Sequence, residues 1–349
     1  MTVFKKYLQN SESIFKNETA LDSNFIPRGK IEFRENENQY IAECIRPLFQ
    51  RRSGKNLIIL GSPGIGKTLA CTKIKEEIDE TTDDILVFYI NLWKKNTQHK
   101  IILELCEQLD YKFIQNKSSD ELFQIIKQKI NQKSAVFILD EVDKIDSTEI
   151  LYPLVEDIYR KTILMITNDK QFTYKLDPRL KSRLTPESLE FRPYSKQEIA
   201  SILQNRINLA FSQGVISKEV LDIIASKTFE LKDLRSGLFL LRESGLIAES
   251  RSKKQIDLEC ANEAVSKMGS SKKPVIVDTE EKEILNTISD NPEKTVNELF
   301  KLYKSEEGKS LRTFQRKLKA LEEADLIKRE AVDGKISKIS KKDSKLSDF

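Results

Sequence analysis

One eight-residue segment constrains the fold of this chain more than any other feature. Residues 61–68 read Gly-Ser-Pro-Gly-Ile-Gly-Lys-Thr, which matches the pattern G-x-x-x-x-G-K-T. Residues 56–60 before it, which are apolar after Asn56, are typical of a buried strand, and residues 69–77 after it favour a helix. In that context the glycines let successive backbone N–H groups turn toward one anion at the positive end of the helix. The segment therefore predicts a site for nucleotide phosphates, although an ordinary glycine-rich turn is the alternative.

This predicted phosphate loop also carries side chains suited to a nucleotide and its metal ion. Lys67 can reach the outer phosphates, and the hydroxyl of Thr68 can ligate magnesium. The loop residues that we expect to contact ATP or ADP are Gly61, Pro63, Gly64, Ile65, Gly66, Lys67, Thr68 and Leu69.

Two later apolar runs end in polar residues that belong beside such a loop. Residues 135–139 read as a strand that ends at Asp140 and Glu141, and parallel sheets present such residues to a ligand at their carboxyl edge. Asp140 is expected to hold magnesium, and Glu141 to orient or polarise the attacking water. A third run, residues 162–167, ends at Asn168, whose amide could hydrogen-bond the terminal phosphate or the water. Asn-Asp after a strand is also common in turns, which is the alternative for Asn168.

The composition limits the remaining possibilities. The chain has 349 residues, which suits two or three domains, and hydrophobic and charged fractions of 39% and 33% fit a globular protein. No apolar run approaches the roughly 20 residues of a membrane span, and the first residues lack the apolar core of a secretory signal. We therefore expect a cytoplasmic protein with no membrane partner, and one associated with the nucleoid if the DNA-binding features below are used. The four cysteines have no C-x-x-C spacing, which argues against a zinc site or a disulfide framework.

The C-terminal segment is locally basic, although the net charge of the whole chain is only +4. Residues 309–345 contain 12 Lys and Arg against 6 Asp and Glu. A polar stretch at 270–274, closed by a proline, predicts a linker before it. The elements predicted after the linker are helices at 280–289, 295–304 and 310–324 and a strand pair around Asp333-Gly334. That dipeptide is typical of a hairpin turn, and the whole order is the pattern of a winged helix-turn-helix.

The third of these helices separates apolar from polar residues. Helical spacing gathers Leu311, Phe314, Leu318 and Leu321 on one face. Arginine and glutamine on the other face can read guanine and adenine edges in the major groove, whereas lysines contact phosphates. Winged helices also bind proteins, which is the alternative. The residues that we expect to bind double-stranded DNA are Lys309, Arg312, Gln315, Arg316, Lys319, Lys335 and Lys338.

The order of these features resembles that of an AAA+ ATPase, and more narrowly that of archaeal replication initiators of the origin-recognition (Orc/Cdc) family. The resemblance covers nearly the whole chain and includes Tyr89-Ile90-Asn91 after the phosphate loop. It implies an α/β fold, with an AAA+ P-loop parallel-sheet core, a helical lid domain and a C-terminal winged-helix domain. The implied boundaries are 1–192 for the ATPase core, with segment 1–30 packing on it, 193–270 for the lid and 275–345 for the winged helix.

The resemblance also implies an arginine finger. Residues 176–184 match the segment that carries it in related ATPases, with Arg183 as the first choice and Arg179 as the second. A guanidinium supplied by a neighbouring subunit stabilises charge on the transferring phosphoryl group, so ATP is expected at a subunit interface. The alternative is that both arginines only pair with local acids.

Further nucleotide contacts follow from the same resemblance. Phe25-Ile26-Pro27 and Phe33-Arg34-Glu35 resemble the segment that lies against adenine in this family, and Ile26 and Pro27 are expected to contact the nucleotide. Residues 231–249 look like its lid helix, in which Arg235 would sense the bound nucleotide as the lid closes. The family usually has glycine where Lys232 stands, so the sequence departs from the pattern there. The predicted lid residues that complete the nucleotide site are Tyr194, Arg206 and Arg235.

As a whole, the resemblance implies an ATP-controlled initiator that binds origin DNA and helps to load the replicative helicase. Its cofactors would be ATP or ADP and magnesium, and slow hydrolysis would act as a switch. Its protein partners would be the helicase and other initiator subunits. Two alternatives stay open: a clamp-loader-like or transposition-helper ATPase, and a DNA-binding regulator whose nucleotide site is only structural. Because clamp loaders usually end in a helical collar, the predicted C-terminal hairpin argues against that class.

Overall fold

The computed structural model describes residues 13–27, 29, 31–269, 279–291, 294–303, 311–323, 327–332 and 336–341. The chain divides into two compact units, Met1–Met268 and Gly269–Phe349. The strand that contains Lys338 is described, but the side chain of Lys338 is not. The predicted features that lie outside the described residues are the linker 270–274, the Asp333-Gly334 turn, Lys309 and Lys335.

The first unit is built on a five-stranded sheet whose strands all run parallel. The strands are β1 (Leu57–Leu60), β2 (Ile85–Asn91), β3 (Ser134–Asp140), β4 (Lys161–Thr167) and β5 (Glu187–Glu190). Their order is β2-β3-β4-β1-β5, so β4 lies directly beside β1 and β3 follows it. Every residue of β3 is buried, as a central strand requires when helices cover both faces of a parallel sheet.

Helices cover the two faces of this sheet. One face carries α1 (Glu35–Ile45) and α2 (Lys67–Thr81). The other carries α3 (Gln98–Gln108), α4 (Ser119–Ile130), α5 (Leu151–Glu156), α6 (Phe172–Lys175) and α7 (Pro178–Leu184). Alternate residues of β3 enter the two apolar cores, since Val136 packs with α1 and α2, and Phe137 packs with α3 and α4. The predicted α/β class with a parallel-sheet core is confirmed.

Four helices follow the sheet and form the lid. They are α8 (Lys196–Ala210), α9 (Lys218–Leu231), α10 (Leu234–Ser250) and α11 (Leu258–Gly269). Ser195 and Glu198 make both hydrogen bonds of a capping box at the start of α8, which fixes where the lid begins. The buried faces of these helices form a core of their own.

The N-terminal segment packs on the lid helices. The ring of Phe15 lies over Gly245, where a β-carbon would come within 2.4 Å of it. Arg242 forms ion pairs with two carboxylates of the segment. The prediction that this segment packs on the ATPase core is therefore wrong for residues 14–25, because the gap that admits its apolar side chains lies on the lid. Only the later residue Ile31 joins the core beneath the sheet.

The second unit contains the three predicted helices and the predicted strand pair, together with a short strand that was not predicted. Its elements are α12 (Thr279–Asp290), β6 (Lys294–Thr295), α13 (Val296–Tyr303), α14 (Leu311–Glu323), β7 (Ile327–Val332) and β8 (Ile336–Lys341). The strands form an antiparallel sheet in the order β6-β8-β7. Phe314, Leu318 and Leu321 are buried as predicted, but Leu311 is 38% exposed because it starts α14, at the margin of this small core. Within the ranges described, no helix is long and apolar enough to cross a membrane.

Candidate functional site

The phosphate loop connects β1 to α2 at the carboxyl edge of the sheet, as the motif predicts. Its three glycines have positive φ angles, +152° at Gly61, +70° at Gly64 and +93° at Gly66, in the range where residues with side chains are strained. Space is also limited, because a β-carbon on Gly64 would lie 1.7 Å from Oδ1 of Asp233. The backbone of the loop can therefore form only with glycine at these positions, and α2 begins at Lys67 with its free N–H groups directed at the loop.

Lys67 lies within this loop and is only 9% exposed. Its ammonium donates hydrogen bonds to the carbonyls of Gly61 and Ser62, at 2.6 and 2.9 Å. Burial lowers the pKa of Lys67, and the carboxylates of Asp140 and Glu141 oppose that shift. An anionic ligand would stabilise this buried cation further, which is the electrostatic condition for binding phosphate.

The carboxylate of Asp140, at the end of β3, accepts hydrogen bonds from three groups. Its Oδ2 accepts from the hydroxyl of Thr68 at 2.9 Å and from the hydroxyl of Tyr89 at 2.7 Å. Its Oδ1 accepts from the backbone N–H of Glu141 at 3.0 Å. A carboxylate and a hydroxyl held this close, next to a phosphate site, are the oxygen donors that Mg²⁺ takes together with nucleotide phosphates. The residues present therefore fit the predicted ion.

Glu141 has a left-handed backbone, with φ +55°, although it is not glycine. Such a conformation costs roughly 1–3 kcal/mol and occurs mostly where function requires it. It turns the chain sharply after β3, and the charge of Glu141 acts on both Lys67 and Arg235. The sequence predicts a role for Glu141 but contains no signal for this strained backbone.

Asn168 follows β4 and is exposed at the same edge of the sheet. The residue before it, Thr167, donates a hydrogen bond of 2.6 Å to Asp143, which lies three residues after Asp140. Burial alone would raise the pKa of Asp143, but hydrogen bonds from Lys144 and Thr167 bring it below its usual range. The charged Asp143 thus ties the end of β4, and with it Asn168, to the turn that follows β3.

The lid contacts the phosphate loop through the start of α10. The N–H of Leu234 donates to the carbonyl of Gly64 at 3.2 Å. Asp233 caps α10 by accepting from the N–H of Arg235, and it also binds the guanidinium of Arg235 at 2.6 Å. The positive charge of Arg235 acts on Lys67 from the lid.

The backbone conformation of Lys232 shows why the family usually has glycine at this position. Lys232 caps the end of α9 with φ +54°, the left-handed conformation that glycine adopts at this position without strain. The chain keeps the same backbone with a residue less suited to it. The local helix start at Leu234 is unaffected, since Asp233 caps it.

A cavity of about 150 Å³ lies between the phosphate loop and the lid. Tyr194 is buried in its wall, and the Tyr194 hydroxyl lies 3.1 Å from the position of a β-carbon on Gly66. Burial raises the pKa of this hydroxyl. The residues that line the cavity are Gly64, Ile65, Pro193, Tyr194, Ile199, Phe229, Lys232, Asp233 and Leu234. Six of them are apolar residues or tyrosine, and they suit the flat base of a nucleotide whose phosphates occupy the adjoining loop.

Arg206 was predicted to contact the nucleotide, but its guanidinium binds the N-terminal segment. It donates to the carbonyls of Ala20 and Phe25, both at 3.1 Å, and lies against the ring of Phe25. Since Phe25 directly precedes Ile26 and Pro27, Arg206 positions the segment in which those two half-buried residues lie.

Arg183 lies far from the phosphate loop of its own chain. The carbonyl of the next residue, Leu184, accepts a hydrogen bond from Asn56, which precedes β1. Gly61 follows β1, so Arg183 is separated from the loop by the length of the strand, about 13 Å. Arg183 forms an ion pair with Glu156, as the structural alternative anticipated. Arg179 is exposed near the start of α7.

The polar face of α14 is exposed in the second unit. Phe314 and Leu318 anchor the helix in the core, and the neighbouring Lys317 pairs with Glu280 at 2.5 Å. The predicted DNA contacts Arg312, Gln315, Arg316 and Lys319 all point to solvent-accessible positions. Three of the four are cationic, which gives this face the charge that nucleic-acid phosphates require.

Comparisons with known proteins agree with this geometry. An AAA domain model matches residues 50–173, and a Cdc6 AAA+ ATPase-type lid domain model matches residues 200–266. An ORC1-type DNA replication protein of Methanosarcina mazei is 31% identical over 76% of this chain and 67% of its own length. The chain belongs to the family of ORC1-type DNA replication proteins.

Two other relatives match a larger share of this ORC1-type chain. ORC1-type DNA replication protein 2 of Methanothermobacter thermautotrophicus is 29% identical over 92% of this chain and 89% of its own length. The structure of the Aeropyrum pernix Orc1 protein in complex with DNA is similar with a TM-score of 0.74 and 22% identity, over 95% and 94% of the two chains. The second similarity shows that the fold extends through both units.

Proposed function

We propose that this ORC1-type protein binds ATP and origin DNA and helps to load the replicative helicase, with slow ATP hydrolysis as its switch. The observation that carries the proposal is the contact between the lid and the phosphate loop, through Leu234 and Gly64. The charges of Asp140 and Arg235 both act on Lys67 in the loop, so the charge of the bound nucleotide can alter how the lid is held.

The predicted residues have separate tasks at this site. The N–H groups of the loop and the ammonium of Lys67 bind the phosphates. Thr68 and Asp140 would hold Mg²⁺, which neutralises phosphate charge when bound. Glu141 orients the attacking water and accepts its proton, and Asn168 holds the terminal phosphate or that water. Arg235 reaches the phosphates from the lid when it leaves Asp233.

The arginine finger must come from a neighbouring subunit, because Arg183 lies at the opposite edge of the sheet from its own loop. In a second initiator subunit, Arg183 would leave Glu156 and contact the terminal phosphate, with Arg179 as the second choice. This arrangement would make hydrolysis depend on assembly, which suits a slow switch.

DNA would be bound by the second unit, which has the elements of a winged helix. Arg312, Gln315 and Arg316 of α14 would read base edges in the major groove, and Lys319 would contact phosphates. The lysines predicted for the rest of this surface are Lys309, Lys335 and Lys338.

Hydrolysis is tested with Glu141→Gln, which keeps the shape of the side chain but cannot accept a proton. We expect wild type to hydrolyse ATP and the variant to lose activity by at least about 100-fold, the usual contribution of a general base, with ATP binding retained. Equal hydrolysis by both proteins would contradict the assignment of Glu141, and absence of ATP binding by wild type would contradict the proposed function. Isothermal titration supplies the binding measurement.

DNA recognition is tested by footprinting the DNA that flanks this chain's own gene, with and without Mg·ATP. We expect a discrete protected segment whose extent changes with the nucleotide. Protection that is uniform along the DNA, with or without ATP, would indicate only nonspecific binding.

A further inference from the structure

We propose that Arg34 is a positioning residue that sets the orientation of the Ile65–Gly66 peptide in the phosphate loop and links that loop to the junction between core and lid. The inference rests on the proposed ATP-binding function. Arg34 lies before α1, and its side chain is completely buried. In the sequence it belongs to Phe33-Arg34-Glu35, part of the match to the segment that lies against adenine. Nothing there predicts its bonds to Ile65 and Arg192, because both residues are distant in sequence.

The guanidinium of Arg34 bonds to three partners. Its Nη2 donates to the carbonyl of Ile65 at 3.1 Å and to the carbonyl of Arg192 at 2.7 Å. Its Nη1 binds the carboxylate of Glu37 at 2.7 Å. One nitrogen therefore joins the phosphate loop to the segment between β5 and α8, where the lid begins.

The bond to Ile65 determines which way the next N–H group points. In a trans peptide the carbonyl of Ile65 and the N–H of Gly66 point in opposite directions. Arg34 holds the carbonyl on the outer side of the loop, so the N–H of Gly66 is directed inward, where successive N–H groups bind an anion. Gly66 has no side chain to restrict its φ of +93°, so the bond from Arg34 adds an external constraint on this peptide.

The surroundings of Arg34 keep its guanidinium in one place. The ring of Tyr194 lies 4.0 Å from Cζ of Arg34, and the ring of Phe191 lies at 5.1 Å. The hydroxyl of the same Tyr194 reaches the position beside Gly66 described above. Arg34 and Tyr194 thus support Gly66 from two directions, and both also contact the core–lid junction.

A simple ion pair with Glu37 is the alternative explanation, and Glu37→Gln separates the two. An ion pair with Glu37 alone would not require the bonds of Arg34 to the carbonyls of Ile65 and Arg192. The variant removes the charge pair but leaves both carbonyl bonds, so we expect its affinity for Mg·ADP and Mg·ATP to stay within about twofold of wild type. Its thermal unfolding temperature should fall.

The direct test is Arg34→Lys in the full chain. A lysine keeps the charge but cannot present the planar fork that reaches two carbonyls and a carboxylate. We expect affinity for Mg·ADP and Mg·ATP to fall at least tenfold, about 1.4 kcal/mol, and by the same factor for both nucleotides, because the loop peptide serves the phosphates that both share. Arg160→Met is the matched control, since Arg160 also donates to backbone carbonyls but not to those of the phosphate loop. It should lower stability and leave nucleotide affinity unchanged.

A spectroscopic readout keeps the proposal testable if Arg34→Lys is strongly destabilised. The chain has 11 glycines, so ¹⁵N-glycine labelling gives a simple amide spectrum. In Arg34→Lys or Arg34→Gln, measured where the variant is folded, the Gly66 amide signal should be displaced without nucleotide and should respond weakly to Mg·ADP. The Gly214 signal should be unchanged. Wild-type affinity and an unchanged Gly66 signal in these variants, or a tenfold loss of affinity in Glu37→Gln, would overturn the role of Arg34. Failure of wild type to bind either nucleotide would instead overturn the proposed function.

Discussion

The phosphate loop of the first unit and the polar face of α14 in the second differ in what holds their residues in place. The loop is fixed by its backbone, since positive φ angles at Gly61, Gly64 and Gly66 and the contact of Gly64 with Asp233 allow one arrangement. The residues on α14 are exposed side chains on a helix that is anchored by its apolar face and by the pair of Lys317 with Glu280. A single substitution in a site that the backbone defines should therefore cause a large loss of ligand affinity. A single substitution among exposed side chains should remove only the contribution of that side chain.

The largest effect should follow from Lys67→Ala. Removing a buried ammonium from the loop deletes charge-assisted hydrogen bonds to phosphate, each worth about 1.5–3 kcal/mol, so ATP affinity should fall on the order of 100-fold. Isothermal titration with Mg·ATP measures it. A loss smaller than about fivefold would contradict this difference between the two sites. The nucleotide site would then tolerate substitution as well as a site of exposed side chains.

A graded loss should follow from Arg316→Ala. One base-reading side chain is worth about 1–3 kcal/mol, so affinity for the specific duplex should fall about 5- to 150-fold, with ATP affinity unchanged. Lys319→Ala is the companion variant. It should weaken binding to specific and nonspecific duplexes alike. The slope of log affinity against log salt concentration should fall by about one, because one phosphate contact is lost. Fluorescence anisotropy at several salt concentrations checks both, and identical behaviour of the two variants would contradict the division into reading and phosphate contacts.

A smaller effect concerns pH and the start of the lid. The bond from Arg192, together with the capping box, lowers the pKa of Glu198 to about 2. Because the folded-state pKa lies below the ordinary value of about 4.5, the stabilisation is complete above pH 4.5 and is lost as the pH falls toward 2. Glu198→Gln should therefore be less stable than wild type at pH 7, by about 1 kcal/mol. The difference in denaturant midpoint should shrink on acidification, and a constant difference from pH 7 to pH 2 would contradict it.

The smallest effect tests the backbone side of the comparison at Lys232. Lys232 has a left-handed backbone conformation, and glycine at this position removes roughly 1–2 kcal/mol of strain from the folded state. Glycine also raises the entropy of the unfolded chain, which lowers the free energy of unfolding by about 0.5–1 kcal/mol. Lys232→Gly should therefore stabilise the first unit by about 0.5–1 kcal/mol, seen as a rise of about 2 °C in unfolding temperature. Lys232→Ala is the control, because it keeps the β-carbon and should bring no gain. Equal changes in the two variants would show that the conformation of Lys232 is not strained.

The same contrast explains what the sequence could and could not predict. The loop 61–68, the strand end at Asp140 and the capping box at Ser195 follow from short motifs, because each motif imposes its own local geometry. The bonds of Tyr89 to Asp140 and of Arg34 to Ile65 join residues 51 and 31 positions apart, and no local pattern contains them.

The packing of the N-terminal segment and the contacts of Arg206 also depend on residues that are distant in sequence. The N-terminal segment packs on the lid because Gly245 leaves space there, which depends on how distant helices meet. Arg206, predicted to contact the nucleotide, binds carbonyls of that segment for the same reason. The roles of Arg183 and of the α14 face stay predictions, since they concern contacts with other molecules.

The most direct test of the account compares footprints of wild type, Lys67→Ala and Arg316→Ala on the DNA flanking the gene, each with and without Mg·ATP. Wild type should protect a discrete segment in a nucleotide-dependent manner. Lys67→Ala should still protect it but lose the dependence on ATP, and Arg316→Ala should lose protection while still binding ATP. If both variants gave the wild-type footprint under both conditions, the claim that a nucleotide site in the first unit controls a DNA site in the second would be contradicted.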